Sequence, residues 1–368
     1  MPSRVSITRA SSYDAAEVYS AVKKSVDFIG GMAVFVRKGE RILLKPNLLS
    51  ARPPESGVCT HPEVVRAVAR LAKEEGAELY LGDSPGGLGY KNAGSTYEAS
   101  GMTKVCAEEG IKLVDFDAAR NINGMPISIW AKDVDGIITI PKMKTHDLMT
   151  LTGAVKNSYG LAVGHFKADC HLKAPLPADF AARAVDVFET AVPRLAVMDG
   201  ITAMEGDGPA AGTLRNAGLI ITGNDCVACD AVFARIAGLD PLRLPIIAEA
   251  YRRKLGEADL SNIEVLGARI EDVRMRDFKL PRTSVVMKVP LPLVKLLTRA
   301  IRFLPQINDR ICKKCRICEK SCPAKCITIA DGGSRIDYRK CIKCFCCHEL
   351  CPYDAISVKR SLLAKIIR

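Results

Sequence analysis

This chain has no apolar run approaching the ~18 residues that a membrane-spanning helix requires. Its opening, Met1-Pro2-Ser3-Arg4-Val5, has no apolar h-region, so no secretory signal is expected and the protein is expected in a reducing cytoplasm. It has no G-x-G-x-x-G dinucleotide fingerprint. Its Gly-rich segment Glu205-Gly206-Asp207-Gly208-Pro209 lacks the Gly-Lys-Ser/Thr ending of a phosphate-binding loop and reads instead as a mobile loop over a crevice. No helix-turn-helix, zinc-finger or RNA-binding signature accompanies the net charge of +12, so no nucleic-acid partner is expected.

Cysteine, in contrast, is abundant, with fifteen in 368 residues. Eight of them form one run written twice: Cys312-x2-Cys315-x2-Cys318-x3-Cys322-Pro323, then Cys341-x2-Cys344-x2-Cys347-x3-Cys351-Pro352. This is the pattern of a bacterial-type ferredoxin with two [4Fe–4S] clusters. Three closely spaced cysteines wrap one cubane and the fourth, before Pro, ligates the other. Cys312, Cys315, Cys318 and Cys351 are therefore assigned to a first cluster, and Cys341, Cys344, Cys347 and Cys322 to a second. Structural zinc, usually held by two separated pairs, fits this spacing poorly. Disulfides would need an oxidising compartment that nothing else suggests. Cys326 and Cys346 fall outside the run and read as small packed residues. Between the runs, Ile327–Ile329 and Arg335–Asp337 flank Asp331-Gly332-Gly333 as a hairpin, and Ala355–Val358 reads as a further short strand.

Charge is unevenly spread. From Asn308 onward there are fourteen Lys and Arg against six Asp and Glu. Two clusters with their thiolates would offset about half of that excess. The remainder suggests an acidic redox partner, such as an acidic ferredoxin.

The first 280 or so residues alternate strand-like and helix-like stretches. Strands are expected at Val5–Thr8, Arg41–Lys45, Glu78–Leu81, Lys112–Phe116, Gly136–Ile140, Leu195–Met198 and Leu219–Thr222. Helices are expected at Ala15–Phe28, His61–Glu75 (capped by Thr60), Tyr97–Glu109, from Gly153, Ala178–Ala191, Cys226–Ile236 and Leu244–Leu255. This argues for an α/β fold with a mainly parallel sheet core, followed by a small C-terminal α+β ferredoxin-like domain. The expected boundaries are an α/β domain over 1–283, a junction over 284–307 and a two-cluster domain over 308–368. The junction has four basic and no acidic residues, and Val294, Leu297, Ile301 and Leu304 repeat at helical spacing. It reads as a basic amphipathic helix, docked on the core or lying on a membrane surface.

Polar residues recur just after the expected strands: Lys45 and Asn47, Asp83 and Ser84, Lys142, Lys144 and His146, Asp199, Asn224 and Asp225. In an open parallel sheet such ends converge on one ligand-binding crevice, although each segment alone is also ordinary turn chemistry. A helix starting at Gly153 would offer its N-terminus to an anion, with Lys156 and Asn157 one turn in. With Lys45, Lys142 and Lys144 this makes a cationic pocket for a carboxylate or phosphate. Gly164–His171 gathers two His, a Cys and an Asp without a standard metal spacing, so a proton-donating or solvated loop His is favoured there. Cys226 and Cys229, near a helix start, read as redox-active thiols or as two core residues.

Leu44-Lys45-Pro46-Asn47, Gly82-Asp83-Ser84-Pro85-Gly86, Pro141–His146, Thr152–Asn157, Asp199-Gly200 and Gly223-Asn224-Asp225 together resemble the uncharacterised family called domain of unknown function 362. Many of its members carry the same C-terminal two-cluster module. The resemblance implies a fused iron–sulfur protein typical of anaerobic metabolism and gives no substrate. Two functions follow as expectations. One is an oxidoreductase in which Lys45, Asn47, Lys144, Lys156 and Asn157 hold an anionic small molecule, Lys142 assists, and His146 or Asp83 moves a proton. The other is a non-enzymatic electron carrier or assembly module whose α/β domain recognises a partner protein. In the first, one cluster is expected to face the crevice, of the same chain or of a second chain in a homodimer.

Overall fold

Arg41–Pro46, Gly136–Ile140 and Leu195–Glu205 are almost entirely buried along their lengths, as the central strands of a sheet covered on both faces must be. The computed structural model describes residues 2–86, 93–174, 176–284 and 303–360. Its strands before the cysteine-rich region are β1 Ser3–Arg9, β2 Arg41–Pro46, β3 Glu78–Leu81, β4 Lys112–Leu113, β5 Ala119–Ile122, β6 Met125–Ser128, β7 Gly136–Ile140, β8 Lys142–His146, β9 Thr150–Thr152, β10 Leu195–Glu205, β11 Thr213–Gly223 and β12 Ile263–Gly267. Ten of them form one sheet in the order β12-β1-β11-β10-β7-β2-β3-β4, with β8 also on β10 and β9 on β8. Pairing is antiparallel only at β1–β11, β10–β11 and β8–β9. The protein is thus α/β with a mainly parallel sheet.

Side-chain alternation splits the core into two layers. Leu43 and Ile137 point to one face, under helices Pro177–Thr190 and Cys226–Ile236; Ile42, Leu44, Ile138 and Ile140 point to the other, under Ala15–Phe28 and Pro62–Glu74. Several expectations need correction. The cap of Pro62–Glu74 is His61, which accepts from the Glu63 N–H; Thr60 instead donates to the Ile140 carbonyl inside the sheet. The single helix expected over 97–109 is two, Ala93–Ala99 and Met102–Glu109, separated at Gly101, where φ is 79°. Only Lys112–Leu113 of the strand expected to reach Phe116 joins the sheet.

The most consequential correction concerns Lys142–His146. Rather than a loop after a strand, these residues are themselves strand β8. Pro141 has no N–H to donate to the ladder, and its carbonyl accepts from the Asp199 N–H at 2.8 Å. Past it the chain continues alongside β10, with Lys142 in register with Asp199. Period-two alternation then places Lys142, Lys144 and His146 in one row, all buried.

The cysteine-rich region adds β13 Phe303–Ile307, β14 Ile327–Ala330, β15 Gly333–Ile336 and β16 Ile356–Arg360, forming antiparallel pairs β13–β16 and β14–β15. The 327–336 hairpin is as expected. Most of the junction expected to be helical, residues 285–302, lies outside the described residues. Its last part, Phe303–Ile307, is a strand and not helix, because Leu304 and its neighbours find a partner in β16. Arg52 joins the two parts by donating to the Cys351 carbonyl at 2.7 Å and pairing with Asp354 at 2.9 Å. Among the described residues no helix is long and apolar enough to cross a membrane.

Candidate functional site

Lys45 is the penultimate residue of β2 and Asp83 follows β3, its parallel neighbour, so the two side chains meet above adjacent strand ends. Lys45 Nζ lies 2.7 Å from Asp83 Oδ1, with both groups essentially inaccessible. Burial pulls the Lys45 pKa down and Asp83 opposes this. Asp83 Oδ2 accepts from the Leu48 N–H at 2.8 Å. Asn157 completes the knot: its Nδ2 donates to the Lys45 carbonyl and to Thr139 Oγ1, and its Oδ1 accepts from Lys45 and from Asn47 Nδ2. The chain passes close by at Gly160, where a Cβ would come within 2.1 Å of Asp83 Oδ1.

Lys142 lies in a second buried knot. Its Nζ is 2.8 Å from Asp199 Oδ2 and 2.8 Å from Tyr13 Oη, and Tyr13 donates to Asp199 Oδ1. The His61 N–H also donates to Asp199, and the His61 ring stacks on Tyr13 with centroids 3.6 Å apart.

Between these knots lie cations without carboxylate partners. Lys144 Nζ donates to the Val58 carbonyl, and burial pulls its pKa down to about 7. Lys167 Nζ is held by Ser84 O, Ser84 Oγ and Pro85 O at 2.5 to 2.8 Å, and burial likewise pulls it to about 7. The Lys156 ammonium has no hydrogen bond or ion pair among the described residues; it lies 5.8 Å from the Tyr159 ring centroid, and burial lowers its pKa. A carboxylate, Glu349, arrives from the cysteine-rich region with its pKa pushed up to about 7 by burial. Its Oε1 lies 3.5 Å from His146 Nε2. His146 Nδ1 accepts from the Leu148 and Met149 N–H groups, which leaves the proton of the neutral ring on Nε2, facing Glu349. Burial holds this ring's pKa well below its ordinary value.

These groups surround a cavity of about 100 Å³ whose walls include Asn47, Asp83, Lys156, Asn157, Lys167, His171, Ser321, Cys346 and Glu349. Of the expected crevice residues, Asn47, Asp83, Ser84, Lys156 and Asn157 line it, and Lys45 sits directly behind Asp83. Lys142, Lys144 and His146 do not line it. They are closed off by Asp199, by Val58 and by Glu349, because as strand residues they are covered by what packs on β8. The anion expected at the Gly153 N-terminus turns out to be the protein's own. Asp230 accepts from the Ala154 and Val155 N–H groups at 2.6 and 3.0 Å, and a Cβ on Gly153 would lie 1.9 Å from its carboxylate. That helix, Ala154–Asn157, is only four residues long.

The Gly164–His171 segment is helical from Phe166 to Lys173, not a loop. His171 is buried, stacked on Phe180, with its pKa lowered to about 3 by burial and Lys156. Cys226 and Cys229 are buried core residues, and burial raises both thiols well above their ordinary value, opposite to an activated pair. The 205–209 segment is held by an Arg282–Asp207 pair at 2.8 Å and by the Gly208 N–H donating to Thr145 Oγ1.

The two cysteine runs surround two separate small cavities. Cys312, Cys315, Cys318 and Cys351 line one; Cys322, Cys341, Cys344 and Cys347 line the other, together with Cys326 and Cys346. The loops repeat each other in detail. Left-handed φ occurs at Lys314, Arg316 and Lys325 in the first run and at the equivalent Lys343, Phe345 and Asp354 in the second. The Cys326 N–H points at Cys322 Sγ at 3.5 Å and the Ala355 N–H at Cys351 Sγ at 3.3 Å, again equivalent. Among the described residues no group of three or more His, Cys, Asp or Glu is arranged around a single metal ion.

The runs differ in their surroundings. Arg316 and Ile317 are exposed, whereas their counterparts Phe345 and Cys346 are buried. Cys346 lines both the second quartet's cavity and the strand-end cavity. The same helix, Cys346–Glu349, carries His348, whose Nδ1 lies 2.8 Å from Asp147 Oδ2.

Residues 42–235 match the family described as "Domain of unknown function (DUF362)". The chain belongs to this family. The chain is 33% identical over 301 residues to a thylakoid-associated protein of Synechocystis sp., an alignment that covers 80% of this chain and 92% of that one. A crystal structure of a protein from Thermotoga maritima aligns with a TM-score of 0.33 at 15% identity. That alignment covers 54% of this chain, which spans about half (53%) of the Thermotoga protein's length. The DUF362 match contains Lys45, Asp83, Lys156 and Asn157 and ends before the cysteine runs, so Ser321, Cys346 and Glu349 close the cavity from outside it.

Sequence reasoning missed Lys167, Ser321, Glu349 and the Asp147–His348 pair. One signal was available. The first run continues Arg316-Ile317-Cys318-Glu319-Lys320-Ser321, and the second Phe345-Cys346-Cys347-His348-Glu349-Leu350. Replacing basic positions by an aromatic and an acid marks the copy that is packed against something cationic.

Proposed function

We propose that the protein is a cytoplasmic iron–sulfur oxidoreductase that binds two [4Fe–4S] clusters and reduces a small anionic molecule held in the strand-end cavity. The observation that carries this reading is Cys346, a wall shared by the second quartet's cavity and the strand-end cavity. Cys312, Cys315, Cys318 and Cys351 would hold one cluster, and Cys322, Cys341, Cys344 and Cys347 the other. Four thiols ranged around a cavity, with N–H groups aimed at their sulfurs, fit a multi-atom cluster. The repeated left-handed residues cost of order 1 kcal/mol each and persist where the surroundings over-determine them. When bound, the clusters supply single electrons at low potential.

The chain's own residues do the rest. Lys156, assisted by Lys167, attracts the anion. Asn157 and the Lys45–Asp83 pair hold the floor of the cavity rigid. Packing of Cys346–Leu350 on the α/β part keeps water from the wall that carries Cys346. The exposed first loop, with Lys313, Lys314 and Arg316 around exposed Cys315, suits an acidic electron-donor protein.

The test is anaerobic purification followed by reduction and addition of candidate anions. About eight iron and eight sulfide per chain are expected, with reoxidation that depends on a small molecule. Stoichiometric zinc without labile sulfide would remove the cluster assignment. Reoxidation by a partner protein alone would favour the electron-carrier reading.

A further inference from the structure

Four of the eight buried side-chain atoms that lack a hydrogen-bond partner among the described residues belong to walls of one cavity: Asn47 Oδ1, His171 Nδ1, Ser321 Oγ and Glu349 Oε1. Lys156, a partly buried wall of the same cavity, has no hydrogen bond or ion pair among the described residues, and its ammonium is balanced only at longer range by Glu349. Buried polar groups are almost always satisfied, because an unmade hydrogen bond costs the full desolvation of the group. Such a concentration in one small space marks groups waiting for a ligand. Their chemistry describes it.

Lys156 supplies a cation. Asn47 supplies an acceptor whose direction is set by its neighbours. Asn157 must present Oδ1 toward Asn47, because its Nδ2 is committed to the Lys45 carbonyl and Thr139 Oγ1. Asn47 therefore turns its Nδ2 to Asn157, leaving Oδ1 as the open atom. That oxygen can be satisfied only by a donor. Ser321 Oγ and His171 Nδ1 can serve as donor or acceptor. At about 100 Å³ the space is a few waters' worth, well below the ~300–1,000 Å³ of pockets for drug-sized ligands.

We infer that the cavity takes a compact carboxylate that also carries an O–H or N–H donor next to the carboxylate, rather than a phosphate ester, a nucleotide or a plain fatty acid. The carboxylate meets Lys156 and the donor meets Asn47 Oδ1. This inference names the substrate class for the site proposed above and rests on that reading for its redox meaning, but the binding it describes does not depend on the clusters.

The test is calorimetric titration of the full-length, cluster-loaded protein with glycolate, glycine, acetate, inorganic phosphate and AMP. Glycolate or glycine is expected to bind at least tenfold more tightly than acetate, which matches in charge but lacks the donor. Asn47→Ala should bring the donor-bearing ligand down to the acetate value without changing acetate binding. Lys156→Met should weaken all carboxylates at least tenfold. Ser321→Ala, outside the Lys45–Asn157 knot, gives a second variant should Asn47→Ala fail to fold, and should narrow the preference several-fold. Equal binding of glycolate and acetate, stronger binding of phosphate or AMP, or no carboxylate binding would overturn the substrate class. None of these would touch the iron content or reoxidation that test the redox reading. Absence of iron with the carboxylate preference intact would overturn that reading alone.

Discussion

Asp147 and His348 are 201 positions apart in sequence and 2.8 Å apart in space. Asp147 directly follows β8, and His348 directly follows Cys347 of the second quartet. Burial opposes a charge on His348, but the Asp147 hydrogen bond outweighs it and raises the ring's pKa. Burial raises Asp147, and His348 opposes this. The pair is thus a buried, charge-assisted link between the α/β part and the cysteine-rich part, one position along each chain from the His146–Glu349 contact.

Removing one side of this link should loosen the wall it holds. Asp147→Ala leaves the His348 ring buried without its partner, a loss of about 1.5–3 kcal/mol for a hydrogen bond to a charged group. Hydrogen exchange of residues 345–350 is expected to speed up while the exposed loop at 310–317 is unchanged. Unaltered exchange at 345–350 would mean that Arg52 and apolar packing alone hold the two parts together.

Lys142 and Lys156 should behave oppositely although both are lysines near strand ends, the first buried and the second partly buried. Lys142→Met leaves Asp199 without its cation and is expected to cost about 3–5 kcal/mol of stability. Lys156→Met removes an ammonium that has no ion pair and should leave the melting temperature unchanged or raised. Paired thermal melts of the two variants decide this; a drop of similar size in both would show that Lys156 has a structural counter-charge.

Gly160 is where the backbone passes closest to the Lys45–Asp83 pair. Gly160→Ala would put a methyl 2.1 Å from Asp83 Oδ1 and 2.8 Å from Lys45 Nζ. The pair has to separate or the chain has to shift, with a loss of at least ~3 kcal/mol. Denaturant unfolding should register it, and Gly94→Ala, with open space around its Cβ and no left-handed φ, is the control for general effects of added alanine.

Lys144 gives a pH signature. Its folded pKa of about 7 lies below that of a free lysine. Below pH 7 the folded state bears the whole cost of a buried charge. As pH rises from about 7 toward ~10.4, the folded protein has lost the proton while the unfolded chain still binds it. Stability should therefore rise with pH across that window, by at most ~1.4 kcal/mol per unit for this group. Lys144→Met should flatten the rise, leaving the parallel contribution of Lys167. Urea midpoints at pH 7, 8 and 9 for both proteins are the measurement, and identical slopes would refute the assignment.

The limits of sequence reading show most clearly in β8. Alternation of apolar and polar stretches located Gly136–Ile140 to the residue, because a buried strand between turn signals is a local pattern. Lys142-Met143-Lys144-Thr145-His146 looked like a polar loop because three of its five residues are basic. It is a strand because β10 extends past Pro141 and offers it a second ladder. Likewise, Gly153 was recognised as the start of an anion-binding helix, but Asp230, 76 positions from Ala154, supplies the anion. Both misreadings have one cause: the deciding partner lies far away in sequence.

By itself, the sequence determined whatever depends on spacing along the chain: the parallel α/β order, the 327–336 hairpin, and the division of eight cysteines into two crossed quartets. It also placed lysines, asparagines and an aspartate at strand ends, where a parallel sheet brings them together. Only the tertiary structure decided which of those charges are spent and which are free. Lys45 and Lys142 are neutralised by carboxylates 38 and 57 positions away, whereas Lys156 is left facing a cavity closed by Ser321, Cys346 and Glu349. The reason is physical. A charge in a buried site is governed by the nearest opposite charge in space, and that neighbour is set by packing between distant segments.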